Sequence, residues 1–275
     1  CSSDLPSGVE KPFIIKPAVG FFSLGVYRVD DDRRWQDVLG LIRKDVERVR
    51  GVYPGKVLDT TRFIMEESIP GDEYAVDLYY DGDGSPVILN ILHHLFASED
   101  DMSDRTYVTS VDVIRRNHDL FHRELEAFGR KAGLRNVPMH VEFRRSGEDL
   151  AWIEANPMRF AAWCTTDLAW FSWGINTVEY FMRGWKPDWE EIFRGREDRV
   201  YPLNVAFVPD GIDLSEVKGI DYEAFAANYR RPLMIRKMDY MKYRVFAFAF
   251  SETAEENRSE IDRMLRADMT PYVIT

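Results

Sequence analysis

The sequence predicts an α+β fold in which antiparallel sheets pack against helices. Apolar, β-rich segments outnumber helical ones, and they follow one another as hairpins more often than through a helix. Hairpin connections favour antiparallel sheets, because parallel strands need a long crossover that is usually helical. The segment 111–132 carries apolar residues at helical spacing and supplies a long helix to cover a sheet.

Each further element follows from its local pattern, and the sequence shows no internal repeat. Asp81-Gly82-Asp83-Gly84 is a strong hairpin turn between two β-rich runs at 73–80 and 86–92. The elements predicted before it are strands at 13–16 and 26–29, a helix at 34–50 and a strand at 62–65. Those predicted after the helix 111–132 are a hairpin of 139–145 and 150–156, a helix at 166–183, strands at 203–208, 233–238 and 244–250, and a helix at 254–267.

Composition excludes several classes of partner. The net charge of -11 argues against a nucleic acid held through its phosphates. No apolar run approaches the roughly 20 residues that span a bilayer, so we expect no membrane insertion. Only two cysteines are present, too few for a disulfide framework, which indicates a reducing compartment and predicts a cytoplasmic protein.

The clearest chemical signal lies in the hairpin around 147–149. A turn there places Glu142 opposite Glu154. The same register places Arg144 opposite Trp152. The apolar residues of the two strands then share the other face, namely Val141, Phe143, Ile153 and Ala155.

Two opposed carboxylates repel each other, because directly paired residues have Cβ atoms about 4.5–5.5 Å apart. A divalent cation offsets this repulsion, and Asn156, two residues after Glu154, adds an amide oxygen. This hard oxygen set suits Mg²⁺, with nucleotide phosphates completing the octahedron. The alternative is an ordinary solvated polar face on which Arg144 neutralises one glutamate.

A second signal is a lysine at the end of an apolar strand. Lys16 follows Phe13-Ile14-Ile15, and the loop after it contains Ser23 and Gly25. The N–H groups of such a small-residue loop can close on a phosphate, and Lys16 would then be a point charge for phosphate oxygens. The alternative is a hairpin loop with a lysine whose charged end reaches solvent, and no standard phosphate motif decides between them.

A third signal follows the strand at 62–65. Glu66 and Glu67 end this strand, and a Pro-Gly turn follows Ile69 within two residues. Extended backbone at these three residues can hydrogen-bond an adenine edge, and Glu73 can accept hydrogen bonds from ribose hydroxyls. The alternative is a polar strand end followed by a turn.

These segments occur in the order and approximate spacing of one superfamily, and the sequence resembles ATP-grasp enzymes of the carboxylate–amine ligase type. Ile15-Lys16-Pro17 and the loop through Gly25 resemble the second ATP-binding lysine of that family and its loop over the phosphates. Residues 66–74 resemble the adenine hinge, with Glu73 at the ribose position.

The same resemblance extends to the carboxylate hairpin. Residues 140–144 and 153–157 resemble the two metal-binding strands of that family. Arg159 lies near the sequence position of the family's arginine that contacts the transferred phosphoryl group. The likeness covers about residues 10–183. It implies that Glu142, Glu154 and Asn156 hold the metal, while Lys16 and Arg159 stabilise charge on that group.

The resemblance also implies an activity and a domain organisation. ATP would phosphorylate a small-molecule carboxylate to an acyl phosphate, which an amine attacks to form an amide or peptide bond. The implied cofactors are ATP and Mg²⁺, with Mn²⁺ as a replacement, and a homo-oligomer is compatible with this type. Residues 1–195 would hold the nucleotide between two α+β subdomains that divide near 67–72, with 196–275 as a C-terminal extension of strands and a helix packed on them.

The sequence departs from the family pattern in three places. Asn156-Pro157-Met158-Arg159 is one residue longer than the usual Asn-Pro-Arg, and Ala161-Ala162 replaces a usual Gly-Gly. The N-terminal substrate domain and the first ATP-binding lysine would precede Cys1, so we interpret the chain as N-terminally truncated. Two rival interpretations therefore stay open: a nucleotide-binding module without catalysis, and a carboxylase-like or phosphotransferase member.

Overall fold

The computed structural model describes residues 9–19, 25–49, 59–98, 101 and 103–275. The chain forms two compact units, one made of Cys1–Pro70 with Ser98–Asp104 and the other of Gly71–Ala97 with Arg105–Thr275. Each unit combines helix with antiparallel sheet. The predicted α+β class is therefore confirmed.

The described residues of the first unit form a three-stranded antiparallel sheet and one helix. Its elements are β1 (Phe13–Val19), β2 (Tyr27–Val29), α1 (Asp32–Val49) and β3 (Asp59–Glu67), and the strand order is β2-β1-β3. Alternate residues of β1 are buried, as expected for a strand with one face on a core. The buried members of this core are Phe13, Ile15, Val29, Trp35 and Val38.

The second unit contains the remaining strands and helices. Its strands are β4 (Asp72–Tyr80), β5 (Pro86–Leu95), β6 (Thr106–Ser110), β7 (Val137–Ser146), β8 (Asp149–Pro157), β9 (Arg199–Phe207), β10 (Gly219–Ile220), β11 (Pro232–Lys237), β12 (Val245–Ser251), β13 (Thr253–Ala254) and β14 (Val273–Ile274). Its helices are α2 (Val111–Ala132), α3 (Asp167–Trp173), α4 (Thr177–Arg183), α5 (Trp189–Phe193), α6 (Tyr222–Ala226), α7 (Tyr240–Tyr243) and α8 (Ser259–Leu265), with 3₁₀ turns at Leu214–Glu216, Glu255–Asn257 and Thr270–Tyr272.

A nine-stranded antiparallel sheet organises the second unit. Its order is β11-β12-β9-β6-β5-β4-β7-β8, with β13 paired to β9. β4 lies between β5 and β7, and Tyr74 to Tyr80 are buried. The predicted boundary at residue 195 stays a prediction, although β9, β11 and β12 from the region beyond it belong to this sheet.

Helix α2 covers one face of this sheet and has the predicted bounds. Ser110 caps its start by accepting a hydrogen bond from the Val113 N–H at 3.1 Å, and Gly133 ends it. Phe121, on the buried face of the helix, packs against Phe143 of β7 with ring centroids 5.1 Å apart. His140, Glu142 and Arg144 lie on the other face of β7, because side chains alternate along a strand.

Some predicted elements need correction, and others were missed. The helix predicted at 166–183 is two helices, because the first ends at Gly174 and Asn176 caps the second through the Glu179 N–H. The helix predicted at 254–267 is a 3₁₀ turn followed by the shorter α8. The strand predicted at 62–65 extends through Glu67, and β6 was not predicted at all.

Among the described residues, no helix combines the length and the apolar character that a bilayer span requires.

Candidate functional site

The hairpin of β7 and β8 brings two glutamates face to face. Glu142 is the cross-strand partner of Glu154, as the sequence predicted. The predicted partner of Arg144 was wrong, because Arg144 pairs with Ala151 and not with Trp152. The turn is also one residue shorter than predicted, since Ser146 lies opposite Asp149.

The shorter turn explains the partner of Arg144, and a β-bulge restores the pairing of Glu142 with Glu154. The register shifts by one residue between Glu142 and Phe143, which leaves Ile153 as the extra residue of β8. Trp152 consequently joins the face that α2 covers, where its ring centroid lies 4.7 Å from that of Phe143. Its indole N–H donates to Glu124 of α2 at 2.8 Å.

The predicted apolar face of the hairpin is only half buried. Val141 and Phe143 of β7 are fully buried. Ile153 is half-buried and Ala155 is exposed, because both lie on β8, the edge strand of the sheet. An apolar residue on an edge strand can stay exposed where only the inner strand is covered.

Polar groups of β8 and of the residues after it surround Glu154. The Asn156 amide donates from Nδ2 to Glu154 Oε1 at 2.5 Å. The nearest guanidinium nitrogen of Arg159 lies 3.9 Å from the same oxygen. Arg159 also donates to the carbonyl of Phe160 at 3.1 Å. It therefore lies beside Glu154 without a close hydrogen bond to that carboxylate.

Arg144 does not take part in this group. Its guanidinium lies 2.8 Å from Glu73 Oε2 and donates to the Gly71 carbonyl at 2.9 Å. The interpretation in which Arg144 neutralises Glu142 or Glu154 therefore finds no support in these contacts.

The oxygen donors of the hairpin fit Mg²⁺. Glu142 and Glu154 each offer a carboxylate that is partly exposed, with side-chain exposures of 27% and 44%. Asn156 donates from its amide nitrogen, which leaves the amide oxygen as the third donor. Across the described ranges no group of three or more His, Cys, Asp and Glu side chains is arranged to hold a metal. Two carboxylates and an amide suit a magnesium ion whose other ligands come from phosphates.

A buried polar chain that the sequence did not predict lies behind Glu142. Asp77 of β4 is the cross-strand partner of His140, and Asp77 Oδ1 lies 2.8 Å from His140 Nδ1. His140 Nε2 lies 3.3 Å from Glu142 Oε1. Burial disfavours a charged imidazole, but the two carboxylates outweigh it and raise the pKa of His140 to about 9. At neutral pH both ring nitrogens therefore donate.

Glu73, the residue expected at the ribose position, has one protein partner for each carboxylate oxygen. His94 Nδ1 lies 2.8 Å from Oε1, and Arg144 lies 2.8 Å from Oε2. Burial tends to raise the pKa of Glu73, but His94 and Arg144 outweigh it and lower that pKa below its ordinary value. Its role at a ribose stays a prediction, because both carboxylate oxygens already have protein partners.

The predicted phosphate lysine lies in the first unit. Lys16 Nζ is 2.6 Å from Glu66 Oε2, so the structure joins two residues that the sequence assigned to different parts of a nucleotide site. The lysine side chain is 19% exposed and that of Glu66 43%. Gly25 lies just before β2 with a φ of +76°, whereas Ser23 falls outside the described residues.

The predicted adenine hinge connects the end of β3 with β4. Glu66 and Glu67 are the last residues of β3, where they pair with Ile14 and Phe13. Ile69 follows outside regular secondary structure and is half-buried. The hinge role of these residues stays a prediction, since the contacts of Glu66 and Glu67 with β1 lie within the first unit.

Comparisons with known proteins identify the family. A family model described as ATP-grasp domain matches residues 9–167, more than half of the 275 residues. This segment contains β1 with Lys16 and the strands that carry Glu142 and Glu154. No curated protein sequence matched the chain.

Solved structures of low sequence identity share the fold. The L-amino acid ligase from Bacillus licheniformis is similar with a TM-score of 0.61 at 16% identity, over 94% of this chain and 63% of that one. A biotin carboxylase–β-γ-ATP complex from Campylobacter jejuni has a TM-score of 0.58 at 12% identity, over 96% and 58%. Phosphoribosylglycinamide synthetase from Anaerococcus prevotii has a TM-score of 0.50 at 14% identity, over 97% and 64%.

This chain thus spans about three fifths of the length of the structures it resembles. The likeness extends over nearly all of its own residues, and the family model covers the strands on which the opposed glutamates lie. The chain belongs to the ATP-grasp family.

Proposed function

We propose that this chain is part of an ATP-dependent ligase that joins a small-molecule carboxylate to an amine through an acyl phosphate. One observation supports this most directly: Glu142 and Glu154 are opposed on neighbouring strands, with Asn156 and Arg159 beside them. Like charges that face each other lower stability unless a cation lies between them. In a member of the ATP-grasp family, the cation expected there is a magnesium ion that accompanies ATP.

The residues of the second unit would divide the work as follows. Glu142, Glu154 and the amide oxygen of Asn156 would hold Mg²⁺, which when bound neutralises charge on phosphate oxygens. Arg159, with 41% of its side chain exposed, would place a guanidinium near the transferred phosphoryl group and stabilise negative charge there. No proton has to be exchanged by any of these four residues for the phosphoryl transfer itself.

The first unit would contribute a charge for the phosphates. Lys16 would exchange its contact with Glu66 for a contact with phosphate oxygens, which offer the ammonium group a higher charge. The ion pair is partly exposed, and pairs of this kind stabilise a protein by at most about 1 kcal/mol. The exchange is therefore energetically easy, and Glu66 keeps the lysine ordered until the nucleotide binds.

The proposal can be tested by trapping the acyl phosphate. The protein is incubated with MgATP, candidate amino acids and hydroxylamine, and hydroxamate, ADP and phosphate are quantified. Hydroxylamine attacks the acyl carbon and releases phosphate, so each hydroxamate should be matched by one ADP and one phosphate. Glu126→Gln is a matched control for Glu154→Gln, because Glu126 is 50% exposed and also lies 3.9 Å from an arginine.

The rival functions give different results in the same assay. A binding module without catalysis binds MgATP but releases no ADP with any carboxylate. A carboxylase-like member releases ADP only when bicarbonate is added and gives no amino-acid hydroxamate. ADP release that depends on an amino acid, is abolished by Glu154→Gln and survives in Glu126→Gln supports the ligase.

A further inference from the structure

Asp77 is a buried carboxylate on an inner strand of the sheet that carries the glutamates. It lies on β4 and has no exposed surface. Its Oδ1 atom accepts two hydrogen bonds at 2.8 Å each, one from His140 Nδ1 and one from the backbone N–H of Ala161. Asp77 therefore connects β4 with two other segments of the same unit.

The first connection leads to Glu142. His140 and Glu142 are two residues apart on β7, so their side chains lie on the same face. The imidazole fills the distance between the carboxylates: its Nδ1 contacts Asp77 and its Nε2 lies 3.3 Å from Glu142 Oε1. The ring itself is buried, with 8% of its side chain exposed, so it has little freedom to turn. One oxygen of Glu142 is thereby directed by Asp77 through the ring.

The second connection leads to Arg159. Ala161 lies two residues after Arg159, and the guanidinium of Arg159 donates to the carbonyl of Phe160 between them. Phe160 is buried and packs near Phe181 of α4, with ring centroids 6.4 Å apart. The hydrogen bond from Ala161 to Asp77 thus fixes the backbone of the segment on which Arg159 is carried.

The hydrogen bonding of Asp77 is unfavourable for a residue with a purely structural role. Within the part of the chain that the structure describes, its second oxygen, Oδ2, is buried and has no hydrogen-bond partner. Removing a carboxylate from water costs several kcal/mol unless its lone pairs are satisfied, and replacing a buried ion pair as a whole by apolar residues of similar volume is often neutral or stabilising. A role in placing other groups accounts for a charge at this position.

We propose that Asp77 is a positioning residue that sets two parts of the site at once: the Glu142 carboxylate, through His140, and the Arg159 segment, through the Ala161 N–H. This inference rests on the function proposed above. Asp77 and His140 touch neither nucleotide nor substrate in this scheme and are not catalytic residues. Their effect is on the geometry of the groups that are.

Three variants separate the two connections. His140→Gln removes the ring that reaches Glu142 but keeps an amide that can donate to Asp77. Asp77→Leu removes the acceptor for both branches at similar volume, and Asp77→Asn keeps an acceptor oxygen and serves as the conservative rescue. Ser110→Ala is the control, because loss of the α2 cap destabilises the same unit away from these groups.

Calorimetric titration with ADP, once in EDTA and once in Mg²⁺, measures the gain in affinity due to the metal. His140→Gln should reduce that gain about tenfold, the usual size of an outer-shell effect, while affinity in EDTA stays unchanged. Asp77→Leu should also reduce it, Asp77→Asn should restore most of it, and Ser110→Ala should leave it as in the wild type. The proposal is overturned if Mg²⁺ strengthens ADP binding by both His140→Gln and Asp77→Leu as much as it does in the wild type. It is also overturned if the variants lose the same ADP affinity with and without the metal.

Crystal structures of the variants provide a second measurement that needs no ligand. Glu142 should leave its wild-type rotamer in His140→Gln, and Asp77→Leu should in addition move the backbone at Ala161. If Asp77→Leu does not fold, His140→Gln decides alone, since an unmoved Glu142 contradicts the inference. If Mg²⁺ fails to strengthen ADP binding by the wild type, the proposed function is wrong, and the rotamer of Glu142 still decides whether Asp77 positions it.

Discussion

Glu142 and Glu154 are directly opposed across β7 and β8, and the closest guanidinium, that of Arg159, lies 3.9 Å from Glu154. Arg144, which could have neutralised them, contacts Glu73 at 2.8 Å. The His140 ring, 3.3 Å from Glu142, offsets part of the repulsion between the two carboxylates, and the metal-free protein retains the rest. This relationship gives a prediction in which stability and binding change in opposite directions.

Glu154→Gln should leave the metal-free protein as stable as the wild type, or more stable by up to about 1 kcal/mol, because one of two like charges is removed. The Gln side chain keeps an acceptor oxygen for Asn156, so local packing should not change. The same substitution should abolish the Mg²⁺-dependent gain in nucleotide affinity. Urea unfolding of the metal-free protein and calorimetry with MgADP measure the two effects.

Glu126→Gln is the control for this substitution, since Glu126 has a similar exposure and the same distance to an arginine. It should change neither the free energy of unfolding by more than about 0.5 kcal/mol nor the binding of MgADP. A Glu154→Gln protein that is less stable but binds MgADP normally would show that Glu154 belongs to ordinary surface structure.

Lys16→Ala should weaken binding of ADP and ATP much more than binding of adenosine, because the lost contacts are with phosphates. Loss of the ion pair with Glu66 should reduce the free energy of unfolding by no more than about 1 kcal/mol. Lys11→Ala is a close control, because Lys11 is 25% exposed and pairs with Asp32 at 2.5 Å. Calorimetry on the three ligands measures the effect, and a uniform loss across them would indicate misfolding instead.

Gly129→Ala should destabilise the protein by about 1–3 kcal/mol, although alanine favours helix. A Cβ atom at residue 129 of α2 would overlap Cε1 of the buried Tyr80 ring and lie 2.8 Å from its Cδ1. Gly40→Ala in α1 should instead raise the free energy of unfolding, since a Cβ there meets no atom within 4 Å. Thermal unfolding of both variants tests the pair, and stabilisation by Gly129→Ala would contradict the packing described for α2.

Local sequence patterns predicted those parts of the site that depend on neighbouring residues. Alternation along 139–145 and 150–156 identified the two strands, and the assumed turn then placed Glu142 opposite Glu154. The bulge at Ile153 could not be predicted, since the longer turn that was assumed gives the same pairing at Glu142. The extra residue assumed in the turn and the unpredicted extra residue of the bulge offset each other at Glu142 and Glu154, but not at Arg144.

Long-range pairings account for what the sequence did not show. Asp77 and His140 are 63 residues apart and meet only because β4 and β7 are neighbours in the sheet. Alternation of buried and exposed residues identifies both strands, but it does not show which strands are neighbours in the sheet. A polar residue in an otherwise apolar strand was the available signal: Asp77 interrupts the run from Tyr74 to Tyr80. Such a residue needs a partner when buried, but the partner itself is set by the topology.

The ion pairs of Glu73 predict how stability depends on pH. The pKa of Glu73 in the folded protein lies below its ordinary value of 4.5, since His94 and Arg144 outweigh the effect of burial. A carboxyl with a lowered pKa contributes stability that is fully present above the pKa of the unfolded chain. That contribution is lost as the pH falls from about 4.5 through the lower pKa of the folded state, because protonation then favours unfolding.

Glu73→Gln should therefore destabilise the protein by about 3 kcal/mol at neutral pH, because the mostly buried Arg144 loses its charged partner. The difference between wild type and variant should shrink as the pH is lowered below about 4.5, since the wild-type carboxyl becomes neutral there as well. Urea unfolding of both proteins at neutral pH and at several acidic values measures this difference. A difference that stays constant down to the lowest pH at which both proteins fold would mean that the charge of Glu73 does not stabilise the sheet, and that its contacts with His94 and Arg144 act only as neutral hydrogen bonds.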